Sequence, residues 1–321
     1  MKRGKNGRAI VARLAAICSV VLLIAGPYST LAQSGDAPIV GVSARPVTIP
    51  VTIRLKGRVP AETELRPVDF TISEDGEPQT ILSLRAMGTN SPINLAILIQ
   101  DDVVSSIGLE IKPLAEFIRR LPRGSRVSVG YMRAGSLQIR QKFTSDLEKA
   151  ARSLRSPLGL SGAAPYNPYV ELIDALKRFD SQPAGRRAVL MVSDGVDISR
   201  GFDSSFQSVD LDRAITEAQR RAVAIYAFFA PTVEAAGNGN LIPNGQSSLQ
   251  KLADQTGGHA FFQGFSVPTS FDPFIKELSG TLDRQIAVTY LSTHPKKGFH
   301  RVKIVSLTPE VELNYPTGYK R

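Results

Sequence analysis

The chain has 321 residues, 42% hydrophobic and 21% charged, a composition that predicts a folded globular protein and excludes a disordered polymer. Its formal charge of +10 includes five basic residues, Lys2, Arg3, Lys5, Arg8 and Arg13, ahead of a charge-free run from Leu14 to Ala25. Without residues 1–32, 34 basic residues face 29 acidic ones, about +5 in total, and most of the case for nucleic-acid binding disappears.

That basic segment and apolar run have the anatomy of a secretory signal, with Thr30-Leu31-Ala32 as the cleavage site. The uninterrupted apolar part is shorter than the ~20 residues a membrane span needs, and Gly26-Pro27 breaks it. A retained anchor is the alternative. The single cysteine, Cys18, lies inside this segment, so the mature chain is expected to lack disulfides and thiolate chemistry. No later run is long and apolar enough to span a membrane. The expectation is an exported protein, periplasmic, at the cell surface or extracellular.

Residues 33–91 read as a β-rich module. VTIPVTIRL alternates as a strand, and Asp75-Gly76 between two apolar alternating runs signals a two-residue hairpin. From 92 to 284 strands and helices take turns. Ile93–Ile99 is a buried-type strand, and Ile107, Ile111, Leu114, Ile118 and Leu121 recur at helical spacing. Val127, Val129 and Tyr131 alternate, Ser145 and Glu148 form a capping box, and a helix covers Tyr169–Phe179. Ala188–Val192 empties into Ser193-Asp194-Gly195, followed by a helix near 211–221, a strand at 222–230, and a helix over 248–256. A short strand at 259–263 and a helix over 271–282 complete this part. Residues 285–321 return to β character. The predicted fold class is α/β, a doubly wound, mostly parallel Rossmann-like sheet flanked by small β-rich N- and C-terminal segments.

In such a sheet a ligand sits beyond the carboxyl ends of the strands. The loops there are Gln100–Ser106, Leu160–Asn167 and Ser193–Asp203. With FTISEDGEPQTI, LADQTGGHAFF and the YLS…HRVKIVSL…YPTGY tail, this order resembles a von Willebrand factor A domain, of the secreted VWFA-related type found in acidobacteria. The resemblance spans most of residues 45–319. It implies a metal-ion-dependent adhesion site: Asp-x-Ser-x-Ser on the first loop, Thr on a second and Asp on a third, holding Mg²⁺ for an acidic partner group. Asp194 matches the third-loop Asp. On the first loop one register places Gln100, Asp102 and Val104 at the ligand positions, and the other places Asp101, Val103 and Ser105. The second loop, SGAAPYN, has no Thr, and Ser161 is its nearest hydroxyl.

Every register loses a ligand, so the site is expected to be degenerate, with Asp101, Asp102, Ser105 and Asp194 as the metal set if one survives. No cofactor is expected in the degenerate case, and Mg²⁺ or Ca²⁺ in the functional one. The competing reading has Asp101 and Asp102 capping the following helix. No enzyme motif stands out. A haloacid-dehalogenase-like Asp-x-Asp fails because Gln100 occupies the nucleophile position. There is no G-x-S-x-G elbow and no H-E-x-x-H. The stretch AAGNGNLIPNGQ is no phosphate loop and reads as mobile. His259, His294 and His300 show no ligand spacing, and Asp194 with Asp197 reads as a solvated turn. The functional expectation is a non-enzymatic interaction or adhesion module with an unknown protein partner. Neither nucleic acid nor, after signal cleavage, a membrane is expected as a partner, and the oligomeric state is left open. A working Mg²⁺/Ca²⁺-dependent adhesion module and, more distantly, a metal-dependent hydrolase are the alternatives.

Overall fold

Residues 44–55, 69–88, 90–199, 208–232, 235, 241–264 and 266–321 are described by a computed structural model. The export segment 1–32 and Cys18 lie outside the described residues. The strands are β1 (Arg45–Leu55), β2 (Phe70–Glu74), β3 (Glu77–Ala86), β4 (Ile93–Gln100), β5 (Arg126–Arg133), β6 (Ser136–Thr144), β7 (Arg186–Ser193), β8 (Ala224–Phe229) and β9 (Ala260–Phe261). The last four are β10 (Gln285–Ser292), β11 (Phe299–Ser306), β12 (Val311–Asn314) and β13 (Gly318–Lys320). The helices are α1 (Ile111–Arg119), α2 (Leu147–Arg152), α3 (Pro168–Lys177), α4 (Val209–Arg220), α5 (Leu241–Thr256) and α6 (Asp272–Asp283).

These strands form two sheets, and they correct the expected fold class. The larger sheet is antiparallel and seven-stranded, in the order β12-β1-β10-β3-β2-β11-β13, and both ends of the chain build it. The second sheet has six strands in the order β6-β5-β4-β7-β8-β9 and is mixed, since β6 runs antiparallel on its edge. The molecule is therefore β-rich, not a doubly wound parallel sheet with minor flanks. The reason is long-range pairing. β1 lies antiparallel to β10, with Arg45 opposite Ser292, and β2 pairs with β11. Local periodicity marks such strands but carries no information about partners two hundred residues away.

In the mixed sheet β4 is buried along its whole length. Leu95, Ile97 and Ile99 join one core with Leu114, Phe117 and Ile118 of α1 and Phe274, Ile275 and Leu278 of α6. Ala96 and Leu98 join the other, with Leu172 and Leu176 of α3, Ile215 of α4 and Leu252 of α5. Strand alternation divides one sequence run between two cores. A third core, with Val51, Phe70, Ile72, Val288, Tyr290, Val302 and Ile304, lies on the antiparallel sheet.

Arg186 joins the two sheets from the first position of β7. Its guanidinium is buried and donates to Gln285 Oε1 (3.1 Å), Ser91 O (2.9 Å), Met87 O (3.2 Å) and Leu282 O (2.8 Å). Gln285 Nε2 in turn donates to the Tyr226 hydroxyl at 2.8 Å.

Two local expectations resolve differently. The α2 helix is capped by Asp146, whose carboxylate accepts from Lys149 N, and not by Ser145; Glu148 instead takes Arg119 and Arg152. The glycine-rich stretch read as mobile enters α5 at Leu241, and residues 236–240 lie outside the described residues. Pro243 falls in the first helical turn, where its missing N–H costs nothing.

The Asp75-Gly76 hairpin forms as read. Glu74 pairs with Glu77, and φ is 51° at Asp75 and 92° at Gly76, the positive values a type I′ turn requires. A Cβ at Gly76 would meet nothing within 4 Å, so only the backbone conformation resists substitution. Gly76→Val should lower unfolding free energy by about 1–2 kcal/mol, the left-handed cost for a side chain, as measured by denaturant titration. An unchanged midpoint would show a different turn.

Candidate functional site at the carboxyl ends of β4 and β7

β4 ends in Gln100, Asp101 and Asp102, all buried, and β7 ends in Ser193 and Asp194, also buried. The two strands are parallel neighbours, so their carboxyl ends deliver these side chains to one edge of the sheet.

Asp101 points to the α2 side. Arg155 grips both of its oxygens, Nη1 to Oδ1 and Nη2 to Oδ2, each at 2.7 Å. Leu158 N donates to Oδ1 at 3.1 Å, and Gly159 N to the Asp101 carbonyl at 3.0 Å. Arg155 lies 4.0 Å over the Tyr131 ring, and the Tyr131 hydroxyl donates to Arg155 O at 2.6 Å. One carboxylate thus fastens the whole segment 155–159. A bidentate guanidinium is a strong, directional partner for a buried carboxylate.

Gln100 lies across from Asp194. Its Oε1 accepts from Ser193 Oγ at 2.5 Å, and its side chain lines the same small cavity as Asp194. Asp194 accepts from Val196 N (3.0 Å) and Thr232 Oγ1 (2.9 Å). Burial pushes the Asp194 carboxyl up to about 6 despite these donors. Glu171, in the first turn of α3, is buried beside them, and among the described residues neither of its oxygens has a hydrogen-bond partner. Burial, and then the negative charge of Asp102, push it up to about 8.

Gly195 is required where it stands. Its φ is +72°, and a Cβ there would lie 2.5 Å from Gly245 O and Leu249 Cγ. Gly245 is required for the same contact, since a Cβ on it would collide with Asp194 O. The Tyr169 hydroxyl donates to Gly195 O at 2.6 Å.

Of the predicted metal set, Asp102 and Asp194 line a small shared cavity with Gln100, Tyr166 and Thr232. Asp101 is committed to Arg155. Ser105 is exposed, in a 3₁₀ turn over Ser105–Glu110 that packs beside Gly159. Val103 is fully buried and bridges to Thr232, while Ser161 is exposed. Asp197 accepts from Ser199 and Ser208 and shapes its own turn. An octahedral hard cation needs several converging oxygens, and these residues do not fit one. Among the described residues, the acidic and imidazole donors that converge within 4.8 Å in a group of three are Glu74, Asp75 and His294, elsewhere in the fold. Sequence reading missed Thr232, Glu171 and Arg155. Thr232 comes from the loop after β8 and not from SGAAPYN; in sequence Glu171 is one acid in a helix's first turn, and Arg155 follows Arg152 with no motif around it.

No family model matches the chain and no curated protein does. Among solved structures it overlaps an aerotolerance-related membrane protein from Bacteroides fragilis (12% identity, 59% of this chain, 98% of that one, TM-score 0.41). It also overlaps the conserved hypothetical protein BatB from Bacteroides thetaiotaomicron (12% identity, 59% and 97%, TM-score 0.38). A third overlap is with the human COPII-coat protein Sec24c, at 7% identity, 71% of this chain, 43% of that one and TM-score 0.43.

Glu171 gives the site a pH signature. Its folded value of about 8 lies above its ordinary 4.5, so between them the folded protein keeps a proton that the unfolded chain releases. This contribution is present at acid pH and lost as pH rises through that window. Urea midpoints measured from about pH 5 to pH 8 should fall less steeply for Glu171→Gln than for the wild type. Parallel slopes would mean that Glu171 ionises normally.

Proposed function

We propose that this chain is an exported, non-enzymatic protein-interaction module, of adhesion type, in which the protein's own groups stand where a cation would. The observation that carries the reading is the Asp101–Arg155 clamp. It fixes the segment that presents Leu158, Leu160 and Tyr166 to solvent, with Leu160 61% and Tyr166 56% exposed. Leu109, in the 3₁₀ turn after β4, is 79% exposed. Large exposed apolar groups held on a rigid loop are the usual makings of a docking surface. Tyr166 has a φ of 63°, a left-handed conformation that a non-glycine residue adopts at a cost; its carbonyl accepts from Ile198 N at 2.8 Å. Such strain at an exposed aromatic beside a buried polar site supports a role in recognition. The amide at position 100 speaks against a carboxylate nucleophile there. Export rests on the anatomy of residues 1–32. Among the described residues no helix is long and apolar enough to cross a membrane.

The test is site-specific photo-cross-linking in the native envelope, from position 166 and from Leu307, an exposed residue at the end of β11. The reading predicts a discrete adduct from position 166 that Leu160→Asp abolishes, and none from position 307. Identical adducts from both positions, or none from 166, would contradict it. So would phosphate-ester turnover that depends on Asp102.

A further inference from the structure

The β2–β3 hairpin brings a second set of polar groups together, far from the loops just described. Glu74 ends β2, Asp75 opens the turn, and His294 lies two residues beyond the end of β10. One donor atom from each lies within 4.8 Å of the others.

Glu74 is fully buried. Its Oε1 accepts from the Tyr319 hydroxyl at 2.7 Å, but among the described residues Oε2 has no hydrogen-bond partner. His294 Nδ1 is also buried without a hydrogen bond, 3.8 Å from that same oxygen. This separation is too long for a hydrogen bond. It suits two ligands that share one ion, each at roughly 2.0–2.2 Å. The other oxygen, Oε1, already has His300 Nδ1 at 3.3 Å, so Oε2 is the buried oxygen left open to an added ligand.

The surrounding groups set the ligands' states. His294 Nε2 faces Glu77 Oε2 at 3.5 Å, which turns Nδ1 toward Glu74. Asp75 is held by Arg301 N on Oδ1 and by His300 Nδ1 on Oδ2, both at 2.8 Å. His300 Nε2 meets the Lys296 carbonyl at 2.8 Å. Both ring nitrogens of His300 are engaged by these oxygens. His300 is therefore a positioning residue for Asp75 and not a ligand. Asp75 and His294 are partly exposed, at 36% and 20% of their side chains, which leaves a path for the ion and a position for water.

We propose that Glu74, Asp75 and His294 form a binding site for a divalent transition ion of the Zn²⁺ class, which fastens the β2–β3 hairpin to the segment after β10. Two carboxylates and an imidazole suit Zn²⁺, Co²⁺ or Mn²⁺, whereas Ca²⁺ takes oxygen ligands throughout. The ion takes up the buried Glu74 Oε2, which has no hydrogen-bond partner among the described residues, and links strands from opposite ends of the chain.

The test is calorimetric titration of the full chain with Zn²⁺ at neutral pH, with Co²⁺ absorption as a second readout of inner-sphere ligands. The wild type should bind one ion, and His294→Gln and Asp75→Asn should each weaken binding by about tenfold or more. Asp75→Asn retains a favoured Asn-Gly turn, so it reports on the carboxylate even if His294→Gln folds poorly. Failure of the wild type to bind either ion would overturn the proposal. Binding that survives in both variants would overturn it too, placing the ion elsewhere, such as at Cys18 or His259.

Discussion

The two sheets meet through the buried guanidinium of Arg186. Among the described residues no carboxylate forms an ion pair with it. Backbone carbonyls of Met87, Gly88, Ser91 and Leu282, together with the Gln285 amide, solvate the charge. Burial draws its basicity down from the ordinary arginine value. Those acceptors come from the chain after β3, from the end of α6 and from the start of β10, and they converge on the first residue of β7. A planar fork of five N–H donors serves these five acceptors from three segments at once, more than the three donors of an ammonium group can. The arrangement fixes where the central part of the chain sits on the antiparallel sheet. It also fixes the carboxyl end of β7, eight residues along the strand, where the candidate site is assembled.

At that end a single idea accounts for the polar contacts in the proposed reading. Parallel strands point several carboxylates to one place, and something must compensate their charge. A cation is one solution. Here the chain has others: the Arg155 guanidinium on Asp101, the Val196 N–H and Thr232 hydroxyl on Asp194, and burial that raises the Glu171 carboxyl to about 8. Gln100 is informative because an acid in its place would face Asp194 directly, and the pair would need an ion between them. An amide at the same position accepts from Ser193 and adds no charge beside Asp194. The same clamp that occupies Asp101 holds the 155–159 segment, so charge compensation and presentation of the exposed loop are one structural event.

Much of this was legible because its signals are local. The buried run of β4, the helical spacing of α3 and α4, and the Asp75-Gly76 turn are each written within about ten residues. Pairing between the chain ends is not, because nothing in RPVTIPVTIRL names QIAVTYLS as its neighbour. The large antiparallel sheet was therefore read as two minor flanks. The start of α5 was hidden by Pro243 and Gly245, residues that usually break helices; one falls in the first turn and the other is needed against Asp194. His294 and His300 have no ligand spacing between them, yet the sheet places their rings 5.9 Å apart beside Glu74. Asp101 and Asp102 were visible as a pair, but their opposite assignments became visible only with Arg155 and Glu171 in place.

The measurement that bears most directly on charge compensation by protein groups is the Mg²⁺ dependence of thermal stability, compared between wild type and Asp194→Asn. An ion that binds only the folded chain raises stability as RT ln(1 + [L]/Kd), about 2.7 kcal/mol at a hundredfold excess over Kd. The account predicts that millimolar Mg²⁺ leaves the wild-type midpoint where it is and moves neither protein relative to the other. A large Mg²⁺ shift in the wild type that Asp194→Asn abolishes would contradict it and make Asp194 a ligand of a working cation site.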